Sequence, residues 1–193
     1  MAGALGAGIA AFLVACFFDW VSIRRIRWGK QGVILAVIAL GGYALYSACF
    51  RLPRFELPVP AICLGWVLMS LSALLFCYSL FLEIPFSKTY TKPGVSGELV
   101  TNGTWALVRH PGVLWFTLLL VGLILVARTR VLLVAAPVWL VLDVILVVIQ
   151  DKVVFPRIFP GYSQYQRQTP MLLPTRKSIM ACVKSLRAKE VTR

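Results

Sequence analysis

The chain has 193 residues, 60% of them hydrophobic and only 14% charged, which leaves too little polar surface to clothe a water-soluble domain. Its mean hydropathy is +0.84 and its formal net charge is +13. The first value excludes an ordinary soluble enzyme. The charge does not imply a nucleic-acid groove, because no stretch interleaves aromatic with basic residues as such grooves do.

Five apolar runs reach or approach the roughly 18 residues of a bilayer span: 2–18, 31–50, 61–82, 112–127 and 131–149. They predict an all-α integral membrane protein of about five transmembrane helices. The first run has no basic residue ahead of it and a basic cluster behind it, so an uncleaved anchor is expected rather than a signal peptide. The second and third, rich in Gly, Ala and Ser, read as packing helices. Cys16, Cys49, Cys63 and Cys77 lie inside apolar runs and Cys182 near the C-terminus, with no CxxC pair, so free thiols are expected. With His110 the single histidine, a zinc site of nitrogen and sulfur ligands is not expected.

The basic residues are distributed by side. Sixteen of the twenty Lys and Arg residues follow the first, third or fifth run, while Arg51, Arg54, Arg128 and Arg130 fall on the other side. The positive-inside rule then predicts an external N-terminus and a cytoplasmic C-terminus, in a bacterial plasma membrane or the endoplasmic reticulum. Membrane lipids are the expected partners of this excess, and nucleic acid is not.

Two polar segments stand out on the predicted cytoplasmic side, 83–111 and the stretch from 150 onward. The first holds KPGVSGELVTNGTWALVRHP, whose glycines at 94, 97 and 103 permit tight turns and close approach to a ligand. Pro111 suits the first position of a helix. The helix N-terminus would then offer the backbone N–H groups of Gly112 and Val113 to an anion, and Asp151, Trp105, Tyr162 and Tyr165 could face a cation. Arg109 and His110 are candidate catalytic residues, with a headgroup contact as the alternative for Arg109. The tyrosines, with Trp105 and Trp115, also fit an interfacial aromatic belt.

Asp143 lies inside the fifth run, eight residues before Asp151 and so about 12 Å deeper on nearly the same face. An acid at that depth is a candidate for substrate binding or catalysis, with pairing to Arg109 as the alternative. Trp139 falls one turn deeper. In the tail, Ile179, Met180, Val183 and Leu186 alternate with Arg176, Lys177, Lys184 and Arg187, as in a helix lying on a membrane surface or in a frayed, solvated end. The organisation expected is one membrane domain over 1–174 and a basic tail over 175–193.

Taken in order, GELVTNGTWALVRHPGVLWF and QDKVVFPRIFPGYSQYQRQTPMLLP resemble the membrane methyltransferases related to isoprenylcysteine carboxyl methyltransferase and the phospholipid methyltransferases. The resemblance covers roughly the C-terminal half and implies a cytoplasmic pocket for S-adenosylmethionine, formed by the loop before the fourth span and the segment after the fifth. It implies cofactor contacts at Gly97, Glu98, Leu99, Val100, Trp105, His110, Pro111, Gly112, Val113 and Asp151, with Tyr90 as a weaker addition. Glu98 stands where relatives carry His, Val113 where many carry Tyr, and Gln150-Asp151 replaces Glu-Glu. Val147 occupies the place of an Arg that serves the methyl acceptor in prenylcysteine enzymes. The expected acceptor is therefore a hydrophobic or lipid-borne amine, thiol or hydroxyl, bound near Asp143, Tyr162 and Tyr165. Two other readings remain: an NADPH-dependent membrane reductase of sterol-reductase type, whose C-terminal region resembles the same framework, and a non-catalytic lipid-binding protein.

Overall fold

The computed structural model describes residues 2–24, 30–50, 53–83 and 99–191. Within them the chain is helical: α1 (Ala2–Ile23), α2 (Lys30–Cys49), α3 (Val59–Cys77), α4 (Thr104–Leu107), α5 (Pro111–Ala127), α6 (Arg130–Ile149), α7 (Phe155–Ile158), α8 (Tyr162–Gln168) and α9 (Arg176–Val191). The stretches Ala2–Val21, Gln31–Cys49, Val59–Leu80 and Arg130–Ile158 are long and apolar enough to cross a membrane, and Pro111–Ala127 is a shorter apolar helix. The chain is thus a multi-pass, all-helical membrane protein. Each apolar run forms a helix, but α1 continues five residues beyond the expected end, which places Asp19 inside it.

Two helices do not stop where their apolar runs stop. α3 passes into a π-helical turn over Tyr78–Leu82, and α6 into another over Gln150–Val154. Such turns widen the backbone and recur at functional sites. Both lie at the end of the bundle where α5 begins.

The core is built mostly of small side chains, because lipid tails are as apolar as leucine and helices in a membrane gain by close backbone approach. Ala4, Ala44, Ala48, Ala135 and Ala136 are buried with Leu120, Leu132 and Trp139. α1 packs against α2 and α6, and α3 along α5. Gly8 leaves room for the Trp139 indole, which a Cβ there would strike. At the opposite end, Thr129 caps α6 through Leu132 N–H and donates its hydroxyl to the Ala48 carbonyl at 2.7 Å, tying the α5–α6 turn to α2. Arg128 ends α5 in the left-handed region (φ 56°).

The α3–α5 crossing depends on two glycines. A Cβ on Gly122 would lie 2.8 Å from the Met69 amide nitrogen and 2.9 Å from the Gly65 carbonyl oxygen, and one on Gly65 would lie 2.7 Å from Leu125 Cβ. Backbone atoms cannot yield unless the helices separate. Gly122→Ala is therefore expected to cost about 1–3 kcal/mol through overpacking. Gly41→Ala, where nothing lies within 4 Å, is expected to be neutral or stabilising by up to about 1 kcal/mol. Apparent unfolding midpoints in detergent check this, and equal midpoints would remove the glycine contact from the fold's supports.

Candidate functional site

The segment preceding α5 is pinned to the C-terminal segment by main-chain hydrogen bonds. Arg109 N–H donates to the Pro170 carbonyl at 2.9 Å and His110 N–H to that of Met171 at 3.2 Å. These two residues therefore sit side by side at the end of the bundle.

Arg109 meets Asp151 on the π-helical turn after α6 in a bidentate pair, Nε to Oδ1 at 2.7 Å and Nη2 to Oδ2 at 2.9 Å. Its remaining terminal nitrogen donates to the carbonyls of Gln166 and Thr169. Asp151 also accepts from the Tyr162 hydroxyl at 2.7 Å and the Gln166 amide at 3.1 Å. Both are buried, Asp151 at 3% exposure and Arg109 at 9%. Burial works against the Arg109 charge, but the Asp151 carboxylate more than offsets it and holds the guanidinium protonated. Burial, reinforced by the bond to Asp151, raises the Tyr162 phenol well above its ordinary range, and burial does the same for Tyr165. Both remain neutral donors.

His110 is 5% exposed and stacks on Phe155 with ring centroids 5.7 Å apart. Its Nε2 lies 3.4 Å from Asp151 Oδ1, beyond a well-formed hydrogen bond, and has no hydrogen-bond partner among the described residues. Burial pushes its pKa down to about 4, against the opposing pull of Asp151. The imidazole is neutral at physiological pH.

A second clamp stands beside the first. Glu83, buried at the end of the π-helical turn after α3, accepts from Thr104 N–H through both oxygens, at 3.1 and 3.0 Å, and from the Thr104 hydroxyl. Gly103 has φ 63°, and a Cβ there would collide with the Glu83 carboxylate. The glycine is thus required both by its backbone conformation and by the close approach. The Ser79 hydroxyl donates to Thr104 Oγ1 and accepts from Trp115 Nε1, each at 2.9 Å, and its carbonyl accepts from Trp105 Nε1 at 3.2 Å. Tyr165 donates its hydroxyl to the Trp105 carbonyl. Trp105 is fixed from both sides.

Between the clamps opens a cavity of about 420 Å³, within the range of small-molecule sites. Leu99, Val100, Trp105, Arg109, His110, Gly112, Val113, Tyr162 and Tyr165 line one part, and Asp143, Val147, Phe116, Phe18 and Asp19 line another. The structure therefore brings together most of the residues singled out from sequence. Asp151 and Pro111 are not on its wall. Asp151 stands behind it, holding Arg109, so its charge is already matched. The Val113 N–H is engaged by the His110 carbonyl at 3.2 Å, whereas nothing lies within 4 Å of where a Gly112 Cβ would be. Gly97, Glu98 and Tyr90 lie outside the described residues.

Several expectations need correction. Tyr162 and Tyr165 are 2% and 4% exposed and face the cavity, so they do not form an interfacial belt; Trp115, bonded to Ser79, does not either. Asp143 does not pair with Arg109, and its Oδ2 has no hydrogen-bond partner among the described residues. Trp139 packs in the helix core against Gly8 rather than on the cavity wall. Two acids escaped the sequence reading. Asp19 lines the cavity and accepts from the Gln150 amide at 2.9 Å, and Glu83 organises the Gly103-Thr104 turn. Asp19 could have been noticed as the one acid before residue 56.

The chain matches no family model, no curated protein and no solved structure.

Because a buried pair loses most when one partner is left alone, Asp151→Ala and Arg109→Ala are each expected to destabilise by about 3–5 kcal/mol. The double variant is expected to lose less than the sum of the singles. Unfolding midpoints of the three variants decide it, and strict additivity would mean that the pair is not coupled.

The His110 pKa has a consequence for stability. Its folded value, about 4, lies below the ordinary 6.5, so between those values the unfolded chain binds a proton that the folded chain does not. The contribution is intact above about pH 6.5 and is lost as pH falls toward 4, on the order of 3 kcal/mol at most. His110→Gln is expected to flatten that part of the stability-versus-pH curve. A wild-type slope retained in the variant would place the titration elsewhere.

Proposed function

We propose that the protein is an S-adenosylmethionine-dependent membrane methyltransferase acting on a small hydrophobic or lipid-borne acceptor. The observation that supports it best is the cavity itself, which joins the polar, aromatic end around Trp105, His110, Tyr162 and Tyr165 to a wall supplied by the membrane helices α1 and α6. The first part of the wall suits a polar cofactor, and the second suits an apolar acceptor.

The residues present fit the cofactor. Gly112, on the first turn of α5, faces open space at the positive end of a 17-residue helix, a place that favours a carboxylate. Trp105, Phe155, Tyr162 and Tyr165 offer aromatic faces to a sulfonium or an adenine ring. When bound, S-adenosylmethionine supplies an activated methyl group. The chain's own work is to bind, orient and exclude water, the contribution that dominates in-line displacements. Neutral His110 lines the cavity and is the candidate to take a proton from a hydroxyl or amine acceptor. Arg109 acts at one remove, since four of its five N–H donors are engaged by Asp151, Gln166 and Thr169.

Among the described residues, the part of the wall around Asp143 and Asp19 carries no cation, with Val147 where a carboxylate substrate would need one. This supports a neutral or cationic acceptor over a prenylcysteine carboxylate. The excess of basic residues on the same side supports a cytoplasmic mouth. The NADPH reading has less support, because Arg157 and Arg167, the candidates for its 2′-phosphate, are exposed and off the cavity wall.

Gly112→Leu provides the test, since the added side chain projects into open space and leaves the helix packing alone. Titration of purified protein is expected to give S-adenosylmethionine binding that this variant weakens at least roughly tenfold, with an unchanged unfolding midpoint. Saturable NADPH binding without S-adenosylmethionine binding would establish the reductase instead. Binding of neither would leave the non-catalytic lipid-binding protein.

A further inference from the structure

The tail sequence reads as a helix lying on a membrane surface or as a frayed, solvated end, and in the structure it is helical over Arg176–Val191. Thr175 and Ser178 cap it reciprocally, Thr175 N–H to Ser178 Oγ at 2.9 Å and Ser178 N–H to Thr175 Oγ1 at 3.2 Å. The helix then docks on α4 through a polar stripe. Ser178 and Cys182 are buried, and Ser185 Oγ accepts from Gly103 N–H at 2.8 Å. Ile179, Met180 and Val183 are 46%, 66% and 44% exposed, and Leu186 beside them is half-buried.

The helical wheel orders these faces. At about 100° per residue, Ser178, Cys182 and Ser185 fall within roughly 60° of one another, and Leu186, Ile179 and Val183 form a stripe on one flank that ends at Glu190 in the last turn. Arg176 and Arg187 follow it, and then Lys184. A narrow apolar stripe bordered by exposed cations is the arrangement by which a helix lies in the headgroup region of an anionic leaflet. Leu173, exposed at 79% just before the helix, extends the apolar edge.

We propose that α9 is a docking surface for anionic phospholipid, with Ile179, Val183 and Leu186 entering the headgroup boundary and Arg176, Lys184 and Arg187 meeting the lipid charge. The bilayer is the occupant because the chain already crosses it, and α9 begins 18 residues after the membrane stretch that ends at Ile158. The complementary charge is supplied by the chain's excess of +13. The surface is coupled to the cavity. Ser185 holds Gly103, Glu83 holds the adjoining Thr104, and the same turn carries Trp105, so lipid that seats α9 also seats one wall of the site. This holds whatever the cavity binds.

The test uses the full chain in nanodiscs of phosphatidylcholine alone and of phosphatidylcholine with phosphatidylglycerol, with amide hydrogen exchange followed over residues 176–191. Exchange is expected to be at least roughly fivefold slower in the anionic discs, with the difference shrinking at high salt. Lys184→Gln/Arg187→Gln is expected to abolish the difference, and Ile179→Ser/Val183→Ser to reduce it, with exchange in the spans unchanged. Equal exchange in both discs would overturn the proposal. So would protection that depends on two chains sharing a disc rather than on lipid charge, which would assign the surface to a second copy. Lipid dependence untouched by Ile179→Ser/Val183→Ser would refute the entry of the apolar stripe.

Discussion

Much of the structure at the end of the bundle where α5 begins hangs on one ion pair. Asp151 lies on a π-helical turn past α6, Arg109 on the segment before α5, and Tyr162 and Gln166 on α8, and a single carboxylate joins all three. In a medium with little water, each of these polar groups would otherwise be left unsatisfied at considerable cost. Their mutual pairing is what makes the short helices after α6 fold back under α5 and close the cavity. With four of its five donors engaged, Arg109 serves better as a strut than as a hand held out to substrate.

The π-helical turns are the local device behind this arrangement. A regular continuation of α6 would rotate Asp151 by a normal helical step, whereas the wider turn over Gln150–Val154 alters its direction relative to Asp143. The matching turn over Tyr78–Leu82 does the same for Glu83, which then reaches Thr104 rather than solvent. Each clamp thus uses an acid just beyond the regular part of a membrane helix to capture a loop. Removal of either acid strands donors whose partners are fixed by main-chain bonds elsewhere.

The membrane helices were legible in the sequence because an apolar run of that length has few other uses, and helices formed over all five runs. Pro111 as a helix start was legible for an equally local reason. Arg109, His110, Gly112, Val113, Tyr162 and Tyr165 were legible as one site because they cluster in two polar segments on one side of the bundle. What sequence could not show was which of them face inward. Asp151 read as a cofactor contact because its charge was visible and its three partners were not. Glu83 and Asp19 were overlooked since each sits at the edge of an apolar run, where an acid reads as punctuation. Both roles depend on the π-helical turns and on the longer α1, features with no simple residue signature.

The same logic explains why the cavity is polar at one end and nearly bare at the other. Around Trp105, Arg109 and Tyr162 almost every polar atom is held by another, which fixes shape at the cost of free donors and acceptors. His110 Nε2 and Asp143 Oδ2 are the exceptions on the wall, buried without hydrogen-bond partners among the described residues. Buried polar atoms are seldom left unpaired, because the loss is on the order of 1–3 kcal/mol each. A fold that satisfies Asp151 with three partners has the means to satisfy these two as well. Both residues line the same cavity, His110 at the end where α5 begins and Asp143 within the span, so a molecule bound there would be the nearest new partner for either atom.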